Sequence, residues 1–128
     1  MNNKKVSFIF SSIMFACSFV NILPVSAQKQ SICQGKRSNM EYKECVRAEY
    51  KKSDRELNLV WKQVISQMSG DAKERLIDRQ LAWIENRDTA CDRETQDNRR
   101  GSGYRAFLNL CLRRVTIERT EFLRDYLR

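Results

Sequence analysis

The cysteines constrain this chain more than any other feature. Of the five, Cys17 lies in an apolar N-terminal run, and Cys33, Cys45, Cys91 and Cys111 lie beyond it. What they can do depends on the compartment, which the first residues specify. Met1 to Lys5 is short and basic, Val6 to Val20 is almost wholly apolar, and Val25-Ser26-Ala27 follows Pro24. A basic start, an apolar middle and a small-residue cleavage site make the layout of a secretory signal peptide. Residues 1–27 are therefore expected to be removed, leaving 28–128 as the domain. The apolar run is short for a membrane span, which needs about 20 residues, so no span is expected after leader removal. The expected location is periplasmic or secreted. The alternative is a lipoprotein attached through Cys17, which follows the small Ala16. Bulky Phe15 and the better cleavage site downstream favour the secreted form.

An even number of cysteines in an exported domain of about 100 residues reads as two disulfides. Three pairings are possible. The local pairing, Cys33 with Cys45 and Cys91 with Cys111, is the expected one, because each bridge then ties an irregular segment to a helix. No two cysteines have zinc-finger spacing and the chain has no histidine, so neither metal nor cofactor is expected. Oxidised cysteines and absent histidine also remove the common nucleophile–base pairs. No phosphate-cradling glycine motif is present, and no catalytic residue is assigned.

The net charge is +8, and the two leader lysines, Lys4 and Lys5, leave +6 for the mature part. A basic excess of this size favours anionic surfaces such as lipid headgroups, wall polymers or an acidic protein. The export signal argues against nucleic acid.

The only proline, Pro24, lies in the leader, and long stretches rich in Glu, Lys, Arg, Leu and Gln favour helix. No segment alternates with period two long enough for a strand. A first helix is predicted from Ser38 or Asn39 to about Met68, with Leu57, Trp61, Val64, Ile65 and Met68 as its apolar stripe. Ser69-Gly70 makes a turn, and Asp71 with Glu74 resembles a capping box. The second helix is predicted to run to about Cys91 on a stripe of Ile77, Leu81, Ile84 and Asp88, flanked by Leu76, Gln80, Trp83 and Arg87. Asp92 to Gly103 reads as a loop. A third helix begins near Tyr104 and continues to the end, with Phe107 or Leu108, Cys111, Leu112, Val115, Arg119, Phe122, Leu123 and Tyr126 in its stripe. The expected fold is all-α: a small antiparallel three-helix bundle stapled by two disulfides.

Polar residues recur beside these stripes: Asp54, Asn58, Gln80, Arg87, Asp88, Thr116 and Arg119. Polar groups near a core need partners, so these are expected to form a structural network between helices. A general acid/base pair of Asp54 and Asp88 is the enzymatic alternative, but neighbouring arginines would keep both ionised. Trp61 and Trp83 fall on or next to the stripes and are expected in the core.

These residues resemble a known family. Asp54-Arg55-Glu56-Leu57-Asn58 resembles the Asp-x-x-Leu-Asn motif of LprI-type lysozyme-inhibitor-like domains. The run from Gln80 through Ala82-Trp83 and Arg87-Asp88 to Cys91 is similar to that family's long central signature. Gly101-Ser102-Gly103, then Cys111-Leu112, Thr116, Arg119 and Leu123, resemble its glycine loop and closing motif. Trp61 departs mildly, since the family more usually has tyrosine there. The resemblance spans about Cys33 to Leu123. It implies a secreted or envelope-attached helical domain and a protein partner, with inhibition of lysozyme or another cell-wall-degrading enzyme as its sharpest version. Charge opposes that partner: common animal lysozymes are strongly basic, and like charge slows encounter. Glu41, Glu44 and Glu49 offer only a weak acidic patch among Lys43, Arg47 and Lys51. A non-catalytic module binding anionic wall or lipid, through residues such as Arg99, Arg100 and Arg105, is the alternative. The contact residues and the oligomeric state are not legible.

Overall fold

The computed structural model describes residues 32–128. The expected leader, its cleavage site and Cys17 lie outside them. Helix α1 spans Asn39–Gln67, α2 spans Gly70–Glu94 and α3 spans Tyr104–Arg124. Short 3-10 turns follow at Gln96–Asn98 and Asp125–Leu127. No strand occurs among the described residues, and no helix among them is long and apolar enough to cross a membrane.

The limits of α1 follow from its sequence. Ser38 caps it, its hydroxyl accepting from the Glu41 amide at 3.1 Å, which satisfies one free donor of the first turn. Glu41 reaches back to the Arg37 amide at 2.9 Å. Ser69, with no side-chain cap bond, precedes α2. Asp71 therefore sits inside the first turn as a favourable charge and is not the N-cap that the capping-box spacing predicts. Gly70 turns the chain at φ +57°, a conformation that glycine adopts without steric cost.

Consecutive helices run antiparallel. Asp54 of α1 meets Arg87 of α2, and Gln80 of α2 meets Arg119 of α3. The outer helices α1 and α3 run parallel, because Glu49 faces Arg113 and Glu56 faces Arg124. They form the closest pair. Small buried side chains, Ser53 on α1 and Thr116 and Thr120 on α3, suit that approach, since helix spacing depends on side-chain bulk at the contact. The Ser53 and Thr120 hydroxyls donate to carbonyls one turn back, at 2.8 Å each. The Thr116 hydroxyl has no hydrogen-bond partner among the described residues.

The core gathers Leu57, Val60, Val64, Leu76 and Leu123, with Trp61, Ile65, Met68, Trp83 and Leu127 packed against it. This corrects the reading of α2. Its buried residues are Leu76, Gln80 and Cys91, of which the first two belong to the flank of the predicted stripe. Leu81 is 61% exposed and Ile84 37%. The helix has two apolar sides and the bundle covers one. In α3, Phe107 and Phe122 are exposed, as is Tyr126 in the turn that follows, while Thr116 and Thr120 take inward positions that apolar periodicity does not assign to them.

Two disulfides close the bundle, Cys33–Cys45 and Cys91–Cys111, with Cα separations of 5.9 and 5.6 Å. The first ties the N-terminal arm to α1; the second ties the end of α2 to α3. Helix α2 continues past Cys91 to Glu94, where a loop was expected to begin at Asp92. Thr95 terminates it, its hydroxyl donating to the Cys91 carbonyl at 2.8 Å. Replacing Cys91 and Cys111 together by serine is expected to cost about 2–4 kcal/mol, since the cross-link restricts the unfolded chain. Replacing Cys33 and Cys45 should cost less, because that bridge closes a shorter loop, 12 residues against 20. Urea unfolding of the two variants checks the order.

Candidate binding surface

The polar residues predicted beside the stripes divide into two groups. On the α1–α2 side, the Arg87 guanidinium lies 3.6 Å from Asp54 and 2.8 Å from Asp88. Asn58 donates to Asp54 at 3.4 Å. The Arg87 side chain is only 10% exposed, while those of Asp54 and Asp88 are 41% and 58% exposed. The cation is inside and its carboxylates are at the rim. Tyr50 joins this group. Burial raises its phenol pKa above the ordinary value, Arg87 opposes that, and Asp54 and Asp88 add to it.

On the α2–α3 side, Arg119 Nε donates to Gln80 Oε1 at 2.9 Å. Its guanidinium stacks over Phe122 and Trp83, 4.6 and 5.5 Å from the ring centroids. Arg87 approaches the same indole at 5.3 Å, so Trp83 connects the two groups as a shared cation–π partner. Burial lowers the Arg119 pKa, Tyr126 opposes, and Arg79 lowers it further. Thr116 joins neither group. Trp61 and Trp83 pack against the core at its edge and remain half-exposed.

Arg87 thus pairs with Asp54 across the two helices and with Asp88 on its own helix. No cluster of three or more side chains able to hold a metal occurs among the described residues.

The disulfide end carries a different kind of surface. The segment between α2 and α3 is strapped from several sides. Asp92 accepts from the Tyr104 hydroxyl at 2.9 Å and from Arg99. Arg114 reaches Glu94 at 2.7 Å, and the Gly101 amide donates to the Asn98 carbonyl at 2.8 Å. An open pocket of about 450 Å³ lies beside it, lined in part by Tyr42, Phe107 and Leu110. Phe107 is 47% exposed and leans on the turn, where a Cβ at Gly103 would meet its ring at 3.0 Å. Arg93, Arg99, Arg100 and Arg105 are exposed around the same end. Sequence reading singled out Arg99, Arg100 and Arg105 but not Arg93. It missed Tyr42 and the Asp92–Tyr104 strap, which chain distance conceals, and it offered Phe107 for the inward stripe, where the structure leaves it exposed.

The class defined by this architecture is a small, disulfide-bonded three-helix bundle with its polar contacts set between helices. Residues 33–123 match the family described as Lysozyme inhibitor LprI. The chain belongs to that family. No curated protein and no solved structure matches it.

Two measurements test the interior. Arg87→Ala is expected to cost about 1–2 kcal/mol, less than a fully buried pair would, because both carboxylates are partly hydrated; thermal unfolding reads it. Tyr50 has a raised pKa in the folded protein, so the unfolded chain releases the phenolic proton first. The stability it contributes is complete below about pH 10 and is lost as pH rises through the folded value. Tyrosinate absorbance should show a late-titrating phenol that Tyr50→Phe removes.

Proposed function

We propose that this chain is an extracytoplasmic, non-catalytic inhibitor of a lysozyme-like enzyme, docking through its disulfide end. Family membership is the observation that carries the reading; the disulfides and the leader-like N-terminus support the compartment. The disulfide end supports the choice of surface. It combines exposed Phe107 and half-buried Tyr42 with arginines, and aromatic residues and arginine carry much of the binding energy at protein interfaces. The straps at Asp92 and the Cys91–Cys111 bridge fix the segment beforehand, which lowers the ordering cost of docking.

Charge also fits this end better than the chain as a whole. The net charge of +8, or +6 without the two leader lysines, repels a basic enzyme at long range. Glycoside hydrolases, however, hold two carboxylates in the cleft. Arg100, exposed and without an ion-pair partner among the described residues, offers a short-range cation for such a cleft. The polar groups between the helices serve the scaffold in this reading, with Asp54, Asn58, Gln80, Arg87, Asp88 and Arg119 setting how the helices meet.

The arginines at this end favour a second reading, binding to an anionic wall polymer or lipid surface. One design separates the two. The oxidised protein is titrated into lysozymes acting on whole cell wall and, in parallel, on a small soluble oligosaccharide. An inhibitor that binds the enzyme suppresses both, whereas a wall-coating protein protects only the wall. The proposal expects saturable inhibition of both, weakened about tenfold or more by Arg100→Glu or Phe107→Ala with helicity unchanged, as for residues central to an interface. Inhibition indifferent to both substitutions overturns the choice of surface.

A further inference from the structure

The uncovered side of α2 faces a matching side of α1. Between the two helices runs an apolar groove of about 320 Å³ lined by Trp61, Ile65, Ile77, Leu81 and Ile84, with Asn58 and Gln80. Its rims carry opposite charge in one repeated pattern. On α1, Arg55, Leu59 and Lys62 follow one another at steps of four and three, along one flank; all are exposed, Leu59 at 63%. On α2, Asp78, Leu81 and Glu85 follow at steps of three and four; all are exposed, Leu81 at 61%. Read backwards, the second pattern has the spacing of the first, with acids in place of bases.

These rim charges have no ion-pair partner within the chain among the described residues. Elsewhere the surface is paired internally, as in Arg114 with Glu94 and Glu118, and Arg124 with Glu56 and Glu121. A mainly basic chain that leaves acids unpaired along one helix flank has a surface complementary to its own neighbouring helix.

We propose that a second copy of this chain covers the α1/α2 groove, forming a two-fold dimer in which α1 of each copy lies against α2 of the other. Two facing copies can be related by an axis across the groove or along it. An axis across the groove sets α1 on α1 and base against base. An axis along the groove sets α1 on the partner's α2, running antiparallel, and preserves the level of each residue. Asp54 lies level with Arg87, so Arg55 comes level with Glu85, Leu59 with Leu81 and Lys62 with Asp78. Each contact occurs twice, as an isologous interface requires, and the leucines close over the groove between flanking ion pairs, as in helical zippers. Both disulfide ends then point the same way and stay uncovered. The dimer does not depend on the inhibitor reading.

Sedimentation equilibrium of the oxidised protein, across concentration and salt, tests the proposal. The expected result is a concentration-dependent dimer that weakens as salt screens the rim pairs. Leu81→Asp, at a site exposed in the single chain, should abolish it with helicity retained. Arg55→Glu or Glu85→Arg alone should weaken association by about tenfold or more, since each sets like charges together. The two together should restore it. A monomer at every concentration up to about 1 mM, the range of the weakest specific complexes, overturns the proposal. So does a dimer indifferent to Leu81→Asp, or a charge exchange that restores nothing.

Discussion

The close seam between α1 and α3 governs the rest of the molecule. Ser53, Thr116 and Thr120 are buried there and leave little bulk between the helices. Their polar atoms turn back to their own helix where they can: the Ser53 and Thr120 hydroxyls donate to carbonyls at 2.8 Å. Because the outer helices are parallel and close, α2 returns alongside both and cannot enclose itself. One side, with Leu76, Gln80 and Cys91, enters the bundle. The other, with Leu81 and Ile84, remains at the surface. The open groove follows from the seam and needs no distortion of any helix.

Fixing α2 in this position falls to polar contacts and one bridge. Arg87 ties it to Asp54 on α1, Gln80 ties it to Arg119 on α3, and Trp83 takes against its ring the guanidiniums of Arg87, on its own helix, and of Arg119. At the far end Cys91–Cys111 holds what packing does not. These contacts differ in kind from the apolar cluster around Leu57 and Leu123: they specify direction and level, where apolar burial specifies only proximity. That division runs through the whole span of the family match, residues 33–123. It also leaves the disulfide end and the α1/α2 groove as separate surfaces, one rigid, aromatic and basic, the other apolar with rims of opposite sign.

Much of the fold was legible beforehand because its signals are local. Ser38 or Asn39 marks the start of α1, Ser69-Gly70 marks the turn, and the local disulfide pairing follows from tying each irregular segment to a helix. The inward faces were less legible. Ile77, Leu81 and Ile84 form a more apolar row than Leu76, Gln80 and Trp83, and periodicity cannot say which of two rows a neighbour covers. Thr116 and Thr120 are hidden from such reading because their burial depends on helix spacing and not on hydrophobicity. Asp92 looked like loop sequence because its partners, Arg99 and Tyr104, only come together once the chain has folded back. Of the polar residues, those meeting across helices, Asp54 with Arg87 and Gln80 with Arg119, were marked by their positions beside the stripes. Tyr50, one turn before Asp54 on the same side of α1, was not assigned to this group.

On the proposed reading the strapped disulfide end, and not the α1/α2 groove, receives the enzyme. Amide hydrogen exchange of the oxidised protein with and without a saturating lysozyme that it inhibits tests this most directly, since exchange reports local opening along the chain. New protection is expected across residues 93–107 and around Tyr42, with the amides near Leu59 and Leu81 unchanged by the enzyme. New protection centred on Leu59 and Leu81, with the disulfide end exchanging as before, would contradict it.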